Sequence, residues 1–157
     1  MPNYGTESGL AAYAASIGAT VPAGAVLPAL VRASAYIDGR YGSRFVGVRT
    51  GGYAQAQAWP RTGAVTRDGF AIPPSVIPDV IGNATYEAAL RELAAPNSLS
   101  PDYVASQQVT REKVGDIEVA YASAASLGAD AVRPVVTVID EMLAGLLCQP
   151  IPGILVV

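Results

Sequence analysis

The sequence predicts a mainly α-helical domain: a small bundle of about four helices, with a long ordered loop and a small β-hairpin. Three observations carry this. Four segments repeat apolar residues at helical spacing. Between the second and third of them, Gly42 to Pro74 is rich first in Gly and then in Pro and has no clean period. One later segment, Gln108–Tyr121, reads as a hairpin: Ile117, Val119 and Tyr121 alternate with Asp116, Glu118 and Ala120, and the turn falls near Val114-Gly115-Asp116.

The first helix is short. Thr6-Glu7-Ser8 supplies capping groups, Leu10–Ile17 is Ala-rich, and Gly18 is the stop. The second runs from about Ala25 to Arg40, with Leu27, Leu30, Ser34, Ile37 and Tyr41 on one stripe. Pro28 is tolerated only in a first turn, which fixes the start. Short strands are expected within the long loop at Phe45–Val48 and Ala54–Ala58. Ser75 is the expected N-cap of the third helix, with Pro78 in its first turn. Ile77, Ile81, Ala84 and Ala88 make one stripe of that helix and Tyr86, Leu90 and Leu93 a second, so two of its sides are to be covered, by its own subunit or by another. Glu87 and Arg91 form an i,i+4 pair, read as surface trim. Asp130 caps the last helix, which places Val132, Val135, Val136, Ile139, Leu143 and Leu146 in register. The β-branched run Val135–Ile139 also suits a strand, but the spacing continued through Leu146 favours helix.

A chain of 157 residues is one domain by length and can bury a core. Its charged fraction, 15%, is low enough to suit an obligate oligomer, although the many Ala residues also inflate the apolar count. The net charge is −3, with 13 acids against 10 bases, so no general basic face exists for gripping phosphates. The one locally basic stretch is Arg40–Arg67, and its aromatics Tyr41, Phe45, Tyr53 and Trp59 serve either to stack on bases or to pin the loop to the core. The chain has no His and a single Cys, Cys148, which removes His-based nucleophile pairs, an internal disulfide and most zinc sites. The glycines of Gly39–Gly52 fit no nucleotide-binding fingerprint. Asp140 and Glu141 are adjacent and diverge on a helix; Asp116 and Glu118 share a strand face, where solvation is the usual reason. No enzymatic activity, cofactor or metal is expected. No signal peptide or membrane-spanning segment is expected from the sequence.

Trp59-Pro60-Arg61-Thr62-Gly63-Ala64, Arg67-Asp68-Gly69-Phe70, Ile72-Pro73 and Ile77-Pro78 lead into Tyr86-Glu87-Ala88-Ala89-Leu90. Upstream stand Arg32-Ala33-Ser34-Ala35-Tyr36-Ile37-Asp38, Tyr41 and Arg44-Phe45. Downstream stands Arg111-Glu112-Lys113-Val114-Gly115-Asp116-Ile117-Glu118-Val119-Ala120-Tyr121. This ordered set, covering roughly Thr6 to Leu147, resembles the tailed-phage head–tail adaptor (connector) proteins, many of which carry the label "DnaT-like single-stranded DNA-binding protein". The resemblance implies a structural subunit of a virion neck, made in the bacterial host cytoplasm. It implies a homo-oligomeric ring of typically twelve copies, with the portal protein and the next neck or tail component as partners. Double-stranded DNA would pass through the lumen without specific binding. The alternative, from another class, is a single-stranded DNA-binding accessory protein acting through Arg40–Arg67.

Two sets of residues stand out on this reading. Trp59, Pro60, Ile72 and Pro73 are expected to anchor the long loop. Residues 1–147 form the single domain, and 148–157 are an extended C-terminal arm that offers Ile151, Ile154, Leu155, Val156 and Val157 to the portal or a neighbouring subunit. The other reading of the arm folds it back on its own subunit.

Overall fold

A computed structural model gives the fold and describes residues 3–100, 111–114, 117–120 and 135–148. The domain is mainly α-helical, with four α-helices and a small antiparallel hairpin among the described residues, in keeping with the periodicities. Helix α1 (Glu7–Ser16) begins where the Thr6 hydroxyl accepts the Gly9 N–H at 3.0 Å, and Gly18 follows its end at φ +71°. Helix α2 (Val26–Tyr41) keeps Pro28 in its first turn and buries Ala29, Leu30, Ala33, Ser34, Ile37 and Tyr41. Leu27 is exposed, because the buried face begins only at Ala29.

Helix α3 (Asp79–Ala94) is central: α1, α2 and α4 all pack on it. Its buried face is made of Ile81, Ala84, Thr85, Ala88 and Ala89, and the small side chains let its neighbours come close. The second stripe, Tyr86, Leu90 and Leu93, is half-buried against the same core. The two-sided pattern is therefore largely covered within one subunit. The Ser75 cap is not formed. Pro78 occupies the N-cap position at φ −58°, ψ 139°, and the helix starts at Asp79. The residue before a proline is held out of the helical region, so Ile77 cannot join a first turn.

Helix α4 (Thr137–Leu143) passes into a 3-10 turn, Ala144–Leu146, and buries Val136, Ile139, Leu143 and Leu146. Val136 is still extended, so helix begins within the ambiguous Val135–Ile139 run. The expected cap, Asp130, lies outside the described residues, as do Ile151, Ile154, Leu155, Val156 and Val157. The late hairpin pairs β3 (Arg111–Val114) with β4 (Ile117–Ala120), Val114 opposite Ile117. No helix among the described residues is long and apolar enough to cross a membrane.

The long loop differs most from expectation. Its strands are β1 (Val48–Arg49) and β2 (Arg61–Thr62), antiparallel, with Arg49 opposite Arg61. Phe45 makes only an isolated bridge, to Leu147. Ala54–Ala58 is not a strand because the Gln55 side chain closes the segment on itself. Its Oε1 accepts the Gly51 N–H, and its Nε2 donates to the carbonyls of Gln57 and Pro60.

The loop is tied to the helices through Trp59, which is fully buried and meets Phe45 edge-on at 5.7 Å. Pro60, after a cis bond, and Ile72 are half-buried; Ile72 donates its N–H to the Ala64 carbonyl, and Pro73 is exposed. Three segments meet beside Trp59. The Tyr4 hydroxyl donates to Asp38 of α2 and accepts the Trp59 N–H, while the Ala58 N–H donates to the other Asp38 oxygen. Tyr4 N–H in turn donates to Ser34.

Truncating Trp59 to Ala should lower unfolding free energy by about 3–5 kcal/mol, since the ring fills the space between loop and α2. Urea denaturation would measure it, and an unchanged midpoint would remove Trp59 as the anchor. Tyr4→Phe has a pH signature. Burial raises the Asp38 carboxyl above its ordinary range, while the bonds from Tyr4 and Ala58 favour its charged form. A raised folded-state pKa means this group's contribution is fully present at low pH and is lost as pH rises through the folded value. Removing the Tyr4 hydroxyl raises that value further. The Tyr4→Phe deficit, about 1–3 kcal/mol at neutral pH, should therefore shrink as pH falls below the carboxylate range. A pH-independent deficit would show that Asp38 is not the group involved.

Candidate functional site

The arginines of the basic stretch fall into separate jobs once the loop is folded. Arg61 is buried, and its guanidinium binds backbone alone. Nε donates to Val46 O at 2.8 Å, Nη1 to Ala58 O at 3.1 Å, and Nη2 to Phe45 O at 3.2 Å and Gly47 O at 2.6 Å. Burial pulls its pKa down from the ordinary value. Gly47 is needed at this point: its φ is +73°, and a Cβ there would lie 2.6 Å from the Thr62 carbonyl oxygen. Arg61 is thus a structural clamp and is unavailable to a ligand. Arg49 is exposed near the loop tip, reaching the Gln55 carbonyl at 3.4 Å.

Arg40, Arg44 and Arg67 instead line one open cavity of about 300 Å³ together with Asp140, Ala144, Leu147 and Cys148. Backbone hydrogen bonds build it. Val46 N–H donates to Leu146 O, Cys148 N–H to Arg44 O, and Arg67 N–H to Gly145 O, so the end of α4 is sewn to two parts of the loop. Among the described residues, the Arg44 and Arg67 side chains make no hydrogen bond or ion pair. Arg40 sits with its guanidinium 5.6 Å above the Tyr41 ring and its Nε 3.9 Å from Asp140 Oδ1. That oxygen also accepts the Tyr41 hydroxyl at 2.6 Å. Burial, reinforced by the bond to Asp140, raises the Tyr41 hydroxyl well above its ordinary pKa, so it stays a neutral donor.

Three positive groups against one negative give this cavity a net positive lining. Of the four aromatics in the basic stretch, Tyr41, Phe45 and Trp59 are buried and cannot stack on a ligand, whereas Tyr53 is fully exposed at the loop tip. Sequence reading did not single out Phe70, which is 72% exposed and three residues from Arg67 in the turn where Gly69 N–H bonds Thr66 O. Nor did it place Asp140 in this site, because nothing local links Asp140 to Arg40. The other paired arginines serve the bundle: Arg32 meets the buried Glu92 at 2.7 Å, and Arg91 meets Glu87 at 3.3 Å. Bonds from Asn97 N–H and Arg32 hold the Glu92 carboxyl below its usual pKa, against the opposing effect of burial. Among the described residues, no cluster of His, Cys, Asp or Glu could hold a metal ion.

The described residues thus form a mainly helical domain with one cavity lined by three arginines. The family model described as "Putative DnaT-like ssDNA binding protein" matches residues 3–154, and the chain belongs to this family. No curated protein and no solved structure shows a significant match. The family finding overturns the reading of the chain as a structural head–tail adaptor of a virion neck. It favours the alternative drawn from the basic stretch. With that correction the ring beneath a portal loses its motive.

The division of labour among arginines predicts a contrast in stability. Arg61→Lys should cost about 2–3 kcal/mol, because a single ammonium cannot serve four carbonyls in a fork. Arg44→Ala and Arg67→Ala should stay within about 0.5 kcal/mol of the parent. Thermal and urea melts of the three variants decide it; equal losses at all three positions would refute the distinction.

Proposed function

We propose that the protein is a single-stranded DNA-binding accessory protein, acting by binding and not by catalysis. The observation that carries this reading is the convergence of Arg40, Arg44 and Arg67 on one cavity in a chain whose net charge is negative. Phosphate contacts supply most of the affinity in sequence-independent binding. Exposed Tyr53 and Phe70 add faces on which unpaired bases stack, and such faces are closed off in a duplex. The family description points the same way. With only a few phosphate contacts, binding is expected to be weak and strongly reduced by salt.

The test is fluorescence anisotropy with a labelled oligo-dT and the matching duplex across a salt series. The single strand should bind more tightly than the duplex. The slope of log affinity against log salt should be about −0.7 for each phosphate neutralised on a single strand. Tyr53→Ala and Phe70→Ala should weaken the single strand selectively. Absence of oligo-dT binding at low salt would refute the function.

A further inference from the structure

We propose that the Arg40–Arg44–Arg67 cavity seats one phosphodiester of the bound strand, and that Asp140 is a built-in electrostatic competitor that keeps this seat weak. The inference rests on the single-stranded DNA reading and assigns it an address and a control element.

The argument starts from what each group in the cavity already does. Arg44 and Arg67 come from two parts of the loop, each bonded through its backbone to the chain at the end of α4, and their side chains have no partner among the described residues. Their guanidiniums are free to take phosphate oxygens. Arg40 is half-committed. Its Nε is buried with no hydrogen bond, and Asp140 stands 3.9 Å away, close enough for charge attraction but too far for a bond. Asp140 itself is fixed by the Tyr41 hydroxyl and by its place in α4, so it cannot turn away when an anion enters. A phosphate in the cavity therefore meets three cations and one fixed carboxylate. That carboxylate contributes repulsion to every bound state, and it holds part of Arg40's field while the cavity is empty. The remaining lining is Ala144, Leu147 and Cys148. A seat of this kind holds a strand loosely and lets it exchange.

Asp140→Asn isolates the charge, since the amide carbonyl still accepts the Tyr41 hydroxyl. Oligo-dT affinity at low salt should rise roughly threefold or more, the effect of removing one like charge a few ångströms from the phosphate in a partly hydrated site. The melting temperature should be nearly unchanged. Adding Arg67→Ala or Arg44→Ala to Asp140→Asn should erase the gain. Tyr41→Phe, which breaks the same hydrogen bond but keeps the carboxylate, should not tighten binding. If Asp140→Asn does not fold, Asp140→Ser provides the neutral variant. Equal or weaker binding by the neutral variant, with Arg67→Ala still weakening the parent, overturns the competitor role and leaves the function standing. If Arg44→Ala and Arg67→Ala change nothing while the parent binds oligo-dT, the strand lies elsewhere and the seat is wrong. Tightening by Tyr41→Phe equal to that of Asp140→Asn would trace the effect to loosened packing and also overturn the proposal.

Discussion

One guanidinium organises the loop on which the proposed binding site is built. The segment between α2 and α3 contains only two short strands and a 3-10 turn, far too little ladder to hold its shape. Arg61 supplies what the backbone lacks. It draws the carbonyls of Phe45, Val46, Gly47 and Ala58 onto one planar fork, so that both limbs of the loop are fixed to a single point. Desolvating a charge is costly, and the charge is retained here because its donors meet well-placed acceptors. The Tyr4–Asp38 pair is the second tether, since it takes the N–H groups of Ala58 and Trp59 and joins them to α2. With both tethers in place, the backbones at Arg44 and Arg67 are bonded to the chain at the end of α4.

Charge location, and not charge total, decides what such a chain can bind. The net charge of −3 argues against a broad phosphate-binding face. The fold nonetheless spends its arginines unevenly. Arg61 goes to carbonyls, Arg32 and Arg91 go to Glu92 and Glu87, Arg49 reaches the Gln55 carbonyl, and Arg40, Arg44 and Arg67 gather at one place. A local excess of this size favours few contacts and weak, salt-sensitive binding. Asp140 weakens it further.

The helices were legible because their signals are local. Thr6, Gly18, Pro28 and the apolar spacing of α2 and α3 each report on a few neighbouring residues, and the structure places α1, α2 and α3 close to where those residues put them. Ser75 misled because its capping chemistry competes with the restriction that Pro78 imposes on Ile77, and the proline wins. The strands in the loop were misplaced because Gln55 closes a turn through side-chain bonds that no period reveals. Half of the site was visible as the basic stretch Arg40–Arg67. The other half was not, since the Tyr41–Asp140 bond joins residues 99 positions apart and depends on α4 docking beside the end of α2. Function followed the same division: the ordered motifs reached the right family, while the finer reading as a connector subunit did not survive the family's own description.

The way the cavity is assembled has a consequence for how binding strength can vary. Its walls are joined by main-chain bonds: Val46 N–H to Leu146 O, Cys148 N–H to Arg44 O and Arg67 N–H to Gly145 O. None of these depends on which side chain stands at 44 or 67. The charges that face the ligand can therefore be changed without unpicking the scaffold that positions them, whereas Arg61, Trp59 and Tyr4 cannot be changed without loosening it. Asp140 lies between these groups, because it is both an acceptor for Tyr41 and a charge in the cavity. An isosteric amide separates the two roles, since it retains the acceptor and removes the charge. On the proposed function, affinity is thus set by exposed charges on a frame whose stability is set elsewhere, and the two couple at Asp140.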